Sequence, residues 1–113
     1  MQALQLMNDV QHFEAARNFA QRILKEGGDK DEKRVRWAWR TVSSRWPNPA
    51  EVRIVTDVLK RHRSRYTEDL EGARKLVGYG ESVADKDILP RELAPWTLVA
   101  NLLLNLDEVL NKN

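Results

Sequence analysis

The chain has 113 residues, a length typical of one domain, and its 42% apolar and 32% charged side chains are typical of a globular protein rather than a disordered one. It contains no cysteine, which excludes disulfides, thiolate metal sites and a cysteine nucleophile. The net charge is only +2, but residues 33–65 carry ten basic and two acidic side chains, while both flanking segments are acidic. This segregation favours an anionic partner, unless the acidic flanks fold back over the basic middle.

The first predicted helix runs from about Asn8 or Asp9 to Glu26, with Asp9 as its N-cap. Its apolar side chains repeat at helical spacing and form one stripe. They are Phe13, Ala16, Ala20, Ile23 and Leu24. Gly27-Gly28 ends the helix, because glycine adopts the left-handed conformation that closes helices without steric cost.

The second predicted helix begins near Asp29, since Asp29 and Glu32 have the spacing of a capping box. Its apolar positions again repeat with the helical period. They are Val35, Ala38, Trp39, Val42 and Trp46. Pro47 ends the helix, because proline disfavours the helical conformation at the residue before it.

The third predicted helix has the clearest start. Asn48 is expected at the N-cap, Pro49 at the first helical position and Glu51 at the third, where its carboxylate can complete a capping box. The buried stripe that follows has spacings of three and four residues. It consists of Val52, Val55, Leu59, His62 and Tyr66.

A short fourth helix is predicted from about Glu68 to Val77, followed by a loop over residues 79–89. Its inward positions are expected to be Leu70, Ala73, Leu76 and Val77. The last helix runs from Pro90 or Pro95 to Leu110 and is apolar on most faces, which is typical of a helix at the centre of a bundle. The sequence therefore predicts an all-α fold, with residues 1–113 forming a single compact bundle of about five helices around the apolar C-terminal helix.

Export and membrane signals are not evident in the sequence. The longest apolar stretch, Trp96–Leu104, is far shorter than the ~20 residues that a membrane-spanning helix needs. Residues 1–7 lack the positive charge and the apolar run of a signal peptide. The sequence itself indicates no compartment, and no membrane insertion is expected.

No catalytic or metal-binding constellation emerges from the motifs. His12 and His62 are far apart and lack partners at ligand spacing, so we expect His62 to lie at the core boundary. Asp85 and Asp87 lack the glycine and the closing glutamate of a calcium loop. The glycine pairs follow helices and precede no phosphate-binding motif. We therefore expect no catalytic, cofactor-binding or metal-binding residue in this chain.

The basic middle gives the one positive site hypothesis. The candidate anion-binding surface consists of Lys33, Arg36, Trp37, Arg40, Lys60 and Arg61. Arginine beside an exposed aromatic ring is typical of proteins that hold nucleic acid, and an acidic polysaccharide would meet the same cations. In the alternative interpretation, Trp37 packs against a neighbouring helix or against another part of a larger protein.

Three motifs follow one another along the chain. The opening is Gln2-Ala3-Leu4-Gln5-Leu6-Met7-Asn8-Asp9. The middle is Arg36-x-Ala38-Trp39-Arg40 with Arg45-x-Pro47 and Glu51, and the ending is Trp96–Glu108 with its Leu102-Leu103-Leu104-Asn105 run. Together they resemble a planctomycete-type domain, the domain-of-unknown-function family 1553, and the resemblance covers nearly the whole chain. It implies the C-terminal part of exported, often cytochrome c-like multidomain proteins, and hence a periplasmic or cell-surface location.

The resemblance brings no established activity, so no functional residues are carried over. The polar motif residues are expected to cap and bridge helices. They are Asn8, Asp9, Arg45, Glu51, Asn105 and Glu108. The leading hypothesis is a non-catalytic helical domain that packs against other domains of a larger protein or against a protein partner. The alternatives are an anionic-polymer binding module that uses residues 33–65 and an enzyme whose site forms only in the larger protein.

Overall fold

The computed structural model describes residues 10–80 and 82–110, with the side chains of residues 108–110 left aside. These residues form five helices and no strand, which confirms the predicted all-α bundle. The helices are α1 (Val10–Glu26), α2 (Asp31–Ser43), α3 (Pro49–Glu68), α4 (Leu70–Val77) and α5 (Pro90–Leu110). The predicted N-cap Asp9 lies outside the described residues. Within the described part of the chain, no helix is both long enough and apolar enough to cross a membrane.

The last helix, α5, forms the centre of the bundle, as its apolar sequence predicts. It packs against each of the other four helices. Its most buried apolar residues point to several sides of the helix. They are Leu93, Ala94, Trp96, Val99, Ala100 and Leu103. The helix begins at Pro90 and continues through the buried Pro95, so Pro90 is the start that the sequence left open.

The start of α3 agrees with the sequence prediction in every detail. Asn48 Oδ1 accepts a hydrogen bond from the Glu51 amide at 2.8 Å, and Glu51 Oε1 accepts one from the Asn48 amide at 2.9 Å. Pro49 occupies the first helical position. Val52, Val55, Leu59 and Tyr66 are buried, while His62 is half-buried at the core boundary. Burial and the nearby Arg65 and Arg61 lower the pKa of His62.

The capping box predicted for the start of α2 is not formed. The helix begins at Asp31, and its N-cap is Lys30, which makes no side-chain capping bond. Asp31 accepts two hydrogen bonds from the Arg63 guanidinium, at 2.6 and 2.9 Å. This contact with α3 lowers the pKa of Asp31. The start of α2 thus carries a tertiary ion pair, which the local capping pattern could not reveal.

The predicted end of α2 is also wrong, and two residues expected on apolar stripes are exposed. The helix ends at Ser43 because Ser44 takes a left-handed conformation with φ 66°, and its amide still donates to the Arg40 carbonyl. Trp46 therefore leaves the helical period and is 61% exposed. Leu70, expected to point inward, directly follows the N-cap Asp69 of α4 and is 46% exposed.

Candidate functional surfaces

A groove between α2 and α3, here called the α2–α3 groove, collects several cations. It has a volume of about 280 Å³ and is lined by Glu32, Arg36, Pro49, Val52, Arg53, Thr56, Asp57 and Lys60. A second hollow is lined by Arg36, Trp46 and Pro47. Because Arg36 borders both hollows, they form neighbouring parts of one surface. The exposed indole of Trp46 therefore lies in a hollow that adjoins the α2–α3 groove at Arg36.

The structure separates the residues of the predicted anion-binding surface into groups. Arg36 and Lys60 both line the α2–α3 groove. The Arg40 guanidinium lies 5.1 Å from the ring centre of Trp46, which places Arg40 beside the adjoining hollow. Lys33 forms an exposed ion pair of 3.8 Å with Asp29. Arg61 is exposed on α3.

Trp37, the aromatic residue of the predicted surface, faces α1 instead. Its ring centre lies 6.2 Å from that of Phe19, and the Arg22 guanidinium lies 5.3 Å from it on the outside. The indole is half-buried and packs against the core. The alternative interpretation, in which Trp37 packs against a neighbouring helix, therefore describes its position. The tryptophan exposed among cations is Trp46.

A second, more apolar groove lies between α2 and α5 and is called the α2–α5 groove. Its walls are the side chains of Trp39, Val42, Leu103 and Leu106, and its volume is about 180 Å³. Ser43, Arg45 and Asp107 form the polar part of its lining. Trp39 is only 7% exposed and Leu106 is 36% exposed, so the walls extend from the core to the surface.

The rim of the α2–α5 groove is held by Arg45. Its guanidinium lies 5.3 Å from the ring centre of Trp39 and donates two hydrogen bonds to Glu51, at 3.0 and 2.8 Å. Together with the bond that Glu51 accepts from the Asn48 amide, this lowers the pKa of Glu51 to about 2. Arg45 and Glu51 therefore bridge the end of α2 to the start of α3, as the sequence predicts for these motif residues.

Arg17 is a buried cation that the sequence interpretation missed. It is fully buried on α1 and donates hydrogen bonds to the carbonyls of Val77, Tyr79 and Ser82, at 2.6, 2.8 and 3.0 Å, and to Ser82 Oγ. The loop after α4 is thereby attached to α1. The available signal was its position, because Arg17 falls on the apolar stripe between Phe13 and Ala20.

The acidic and histidine residues do not gather into a ligand set in the described ranges, where no group of three or more could hold a metal ion. Asp85 forms an ion pair with Lys25 and accepts the Asp87 amide, and both contacts lower its pKa. The carboxylate of Asp85 therefore serves to attach the loop before α5 to the end of α1.

Comparison with known proteins gives one match. A family model described as protein of unknown function (DUF1553), PSD1, matches residues 1–59. No curated protein and no solved structure matches the chain significantly. The matched region contains α1, α2 and the first half of α3, with both the opening and the middle motif, and it ends before α5. The chain belongs to the DUF1553 family of proteins of unknown function.

Proposed function

We propose that this chain is a non-catalytic helical domain that packs against another part of a larger protein through the α2–α5 groove. The observation that supports the proposal is the groove itself. Val42 and Leu106 are partly exposed in its apolar walls, while Trp39 and Leu103, which also line it, are nearly buried. An apolar concavity in a polar surface is where partner side chains gain most from leaving water.

The size of the α2–α5 groove suits one large anchoring side chain. A cavity of about 150 Å³ accommodates benzene, and this groove measures about 180 Å³. One aliphatic or aromatic side chain of a partner therefore fits between Trp39 and Leu106. Interfaces commonly derive most of their binding energy from such anchors in well-packed pockets.

The polar edge of the groove supports the same function. Ser43, Arg45 and Asp107 surround the apolar walls, and an apolar centre with a polar rim is the usual arrangement of a protein interface. The bidentate contact of Arg45 with Glu51 fixes one side of the rim before a partner arrives. A rim fixed in advance lowers the entropic cost of binding.

The occupant is another segment of the same larger protein. The sequence resembles the closing part of multidomain proteins, and domains of one chain commonly meet through interfaces of moderate size. The occupant presents an apolar side chain to Trp39 and Leu106 and polar groups to the rim. The labelling experiment described next would also detect an occupant that belongs to a separate protein.

Because the chain contains no cysteine, single cysteines can report on the groove. We would compare maleimide labelling at Leu106→Cys and at Ser64→Cys, an exposed control on α3. Labelling is followed by mass spectrometry in residues 1–113 alone and in the gene product purified from its native host with its attached partners. We expect at least a tenfold slower reaction at position 106 in the native material and little change at position 64. Equal rates at position 106 would refute the proposal.

A further inference from the structure

We propose that the α2–α3 groove binds single-stranded nucleic acid, with one base stacked on Trp46 and successive phosphates held by the cations of α2 and α3. The proposal is independent of the packing function, because the α2–α5 groove has other walls. Its basis is the combination of a row of cations along the α2–α3 groove and an exposed indole in the adjoining hollow, which shares Arg36 with the groove.

Trp46 provides the stacking platform. Its side chain is 61% exposed. Such exposure is unfavourable, because tryptophan has a very large apolar side chain. The left-handed Ser44 and the ring of Pro47 restrict the segment that carries it. Arg40 covers part of the indole from a distance of 5.1 Å, and the remaining ring area is open to solvent. A base stacks on such a ring irrespective of its identity.

The cations follow the groove away from Trp46. Arg36 and Arg40 are one turn apart on α2, a rise of about 6 Å, and Arg53 and Lys60 are two turns apart on α3, a rise of about 10.5 Å. Arg36, Arg53 and Lys60 all line the groove. Three of these four cations are arginines, whose planar donor fork matches phosphate oxygens.

Two carboxylates partly offset this charge. Glu32 forms an ion pair of 3.0 Å with Arg36, with both side chains more than half exposed, and Asp57 lies on the opposite wall. An exposed pair one helical turn apart contributes little to stability, so Arg36 can exchange Glu32 for a phosphate at small cost. The groove lining holds three cations and two carboxylates, and Arg40 beside the adjoining hollow is a fourth cation, so the combined surface is positive.

The stacking residue distinguishes nucleic acid from other polyanions. An acidic polysaccharide would meet the same cations, and its sugar rings could pack C–H groups on the indole of Trp46, but only a nucleobase offers a planar π-face that stacks on the whole ring. If the groove recognised charge alone, an exposed tryptophan in the adjoining hollow would add nothing to affinity. A single-stranded oligonucleotide uses both features and is therefore the ligand that the groove fits best.

The test is binding of a fluorescently labelled dodecamer of deoxythymidine, followed by anisotropy. We expect log affinity to fall with log salt with a slope of about −3, because four cations each contribute about 0.7 on a single strand. Trp46→Ala should weaken binding about five- to 100-fold, as expected for the loss of one stacked base, and Trp46→Phe should restore part of it. Arg53→Gln with Lys60→Gln should reduce the salt slope by about 1.4.

The matched control is Arg74→Gln with Lys75→Gln, which removes two exposed charges from α4. It should leave affinity and slope nearly unchanged, and thermal unfolding followed by circular dichroism should show every variant folded. Any of three results would overturn the proposal. These are no binding of the dodecamer at low salt up to about 100 µM, equal affinity for polygalacturonate of matched charge, or unchanged binding by Trp46→Ala.

Discussion

Trp39 and Trp46 were predicted on one apolar stripe, but they differ in burial, so their substitutions should differ in their effect on stability. Trp39 is 7% exposed and Trp46 is 61% exposed. Trp39→Ala should therefore destabilise the protein by about 3–5 kcal/mol, because it leaves a cavity in the core, and Trp46→Ala by less than about 1 kcal/mol. Urea unfolding followed by circular dichroism measures both. A loss below about 1 kcal/mol for Trp39→Ala would contradict its burial.

Arg17 is a buried residue whose substitution should destabilise the protein through the loss of hydrogen bonds. Arg17→Ala should cost about 2–5 kcal/mol, since the carbonyls of Val77, Tyr79 and Ser82 would lose their charged donor. Arg22→Ala, on the exposed side of the same helix, should cost less than about 1 kcal/mol. Equilibrium unfolding in urea compares the two variants. Similar small losses would mean that Arg17 does not hold the loop after α4.

At the residue scale, sequence identified most of the core but not its exceptions. The helical period correctly placed Ala16, Val55 and Leu59 in the core. It failed for Trp46 because the left-handed residue Ser44 ends the helix early, and no local sequence pattern predicts this conformation at Ser44. Arg17 was missed because a charged residue on an apolar stripe is buried only where carbonyl groups accept its hydrogen bonds. These carbonyls are distant in the sequence, so no local pattern shows them.

At the element scale, the start of α3 is the part of the fold that local chemistry determines most fully. Asn48→Ala removes the side chain that accepts from the Glu51 amide and should cost about 1 kcal/mol. Asn48→Asp should preserve most of the stability, because a carboxylate also accepts at the N-cap. Thermal unfolding of both variants measures the effect. An equal loss in the two would show that the cap is not formed.

The same cap makes stability depend on pH. The folded state lowers the pKa of Glu51 from 4.5 to about 2, first through Arg45 and then through the Asn48 amide. The resulting stabilisation is fully present above the unfolded pKa of 4.5 and is lost as pH falls toward 2. Glu51→Gln should flatten this part of the stability–pH profile. Asp31, whose pKa Arg63 lowers, should leave a residual slope in the variant.

An unchanged profile in Glu51→Gln would contradict the bidentate contact with Arg45.

The sequence predicts helix boundaries well where their signals are local, as at the start of α3. The capping box predicted at the start of α2 is not formed, and the helix ends early because Ser44 takes a left-handed conformation before Pro47. The helical spacing of the apolar residues predicts the number and order of the helices. It does not predict these boundaries, which depend on contacts and backbone conformations that the spacing does not encode.

At the scale of the whole molecule, the charge segregation seen in the sequence becomes a property of α2 and α3. Asp29, Asp31 and Glu32 of the acidic first segment pair with Lys33, Arg63 and Arg36 of the basic middle. Asp85 and Glu71 pair with Lys25 and Arg74 outside it. The acidic first segment thus partly covers the basic middle, while Arg53 and Lys60 line an open groove. Neither groove was predictable from sequence, since each joins residues on different helices, such as Trp39 with Leu106.

The most direct test of the packing function is photo-crosslinking from the α2–α5 groove in the native host. Leu106→p-benzoylphenylalanine places the reactive group at the groove, and the same substitution at Ser64 places it on the exposed side of α3. We expect position 106, but not position 64, to crosslink to one defined segment of the same larger protein or of one stoichiometric partner. Crosslinks from position 106 that are as sparse and scattered as those from position 64 would contradict the packing function.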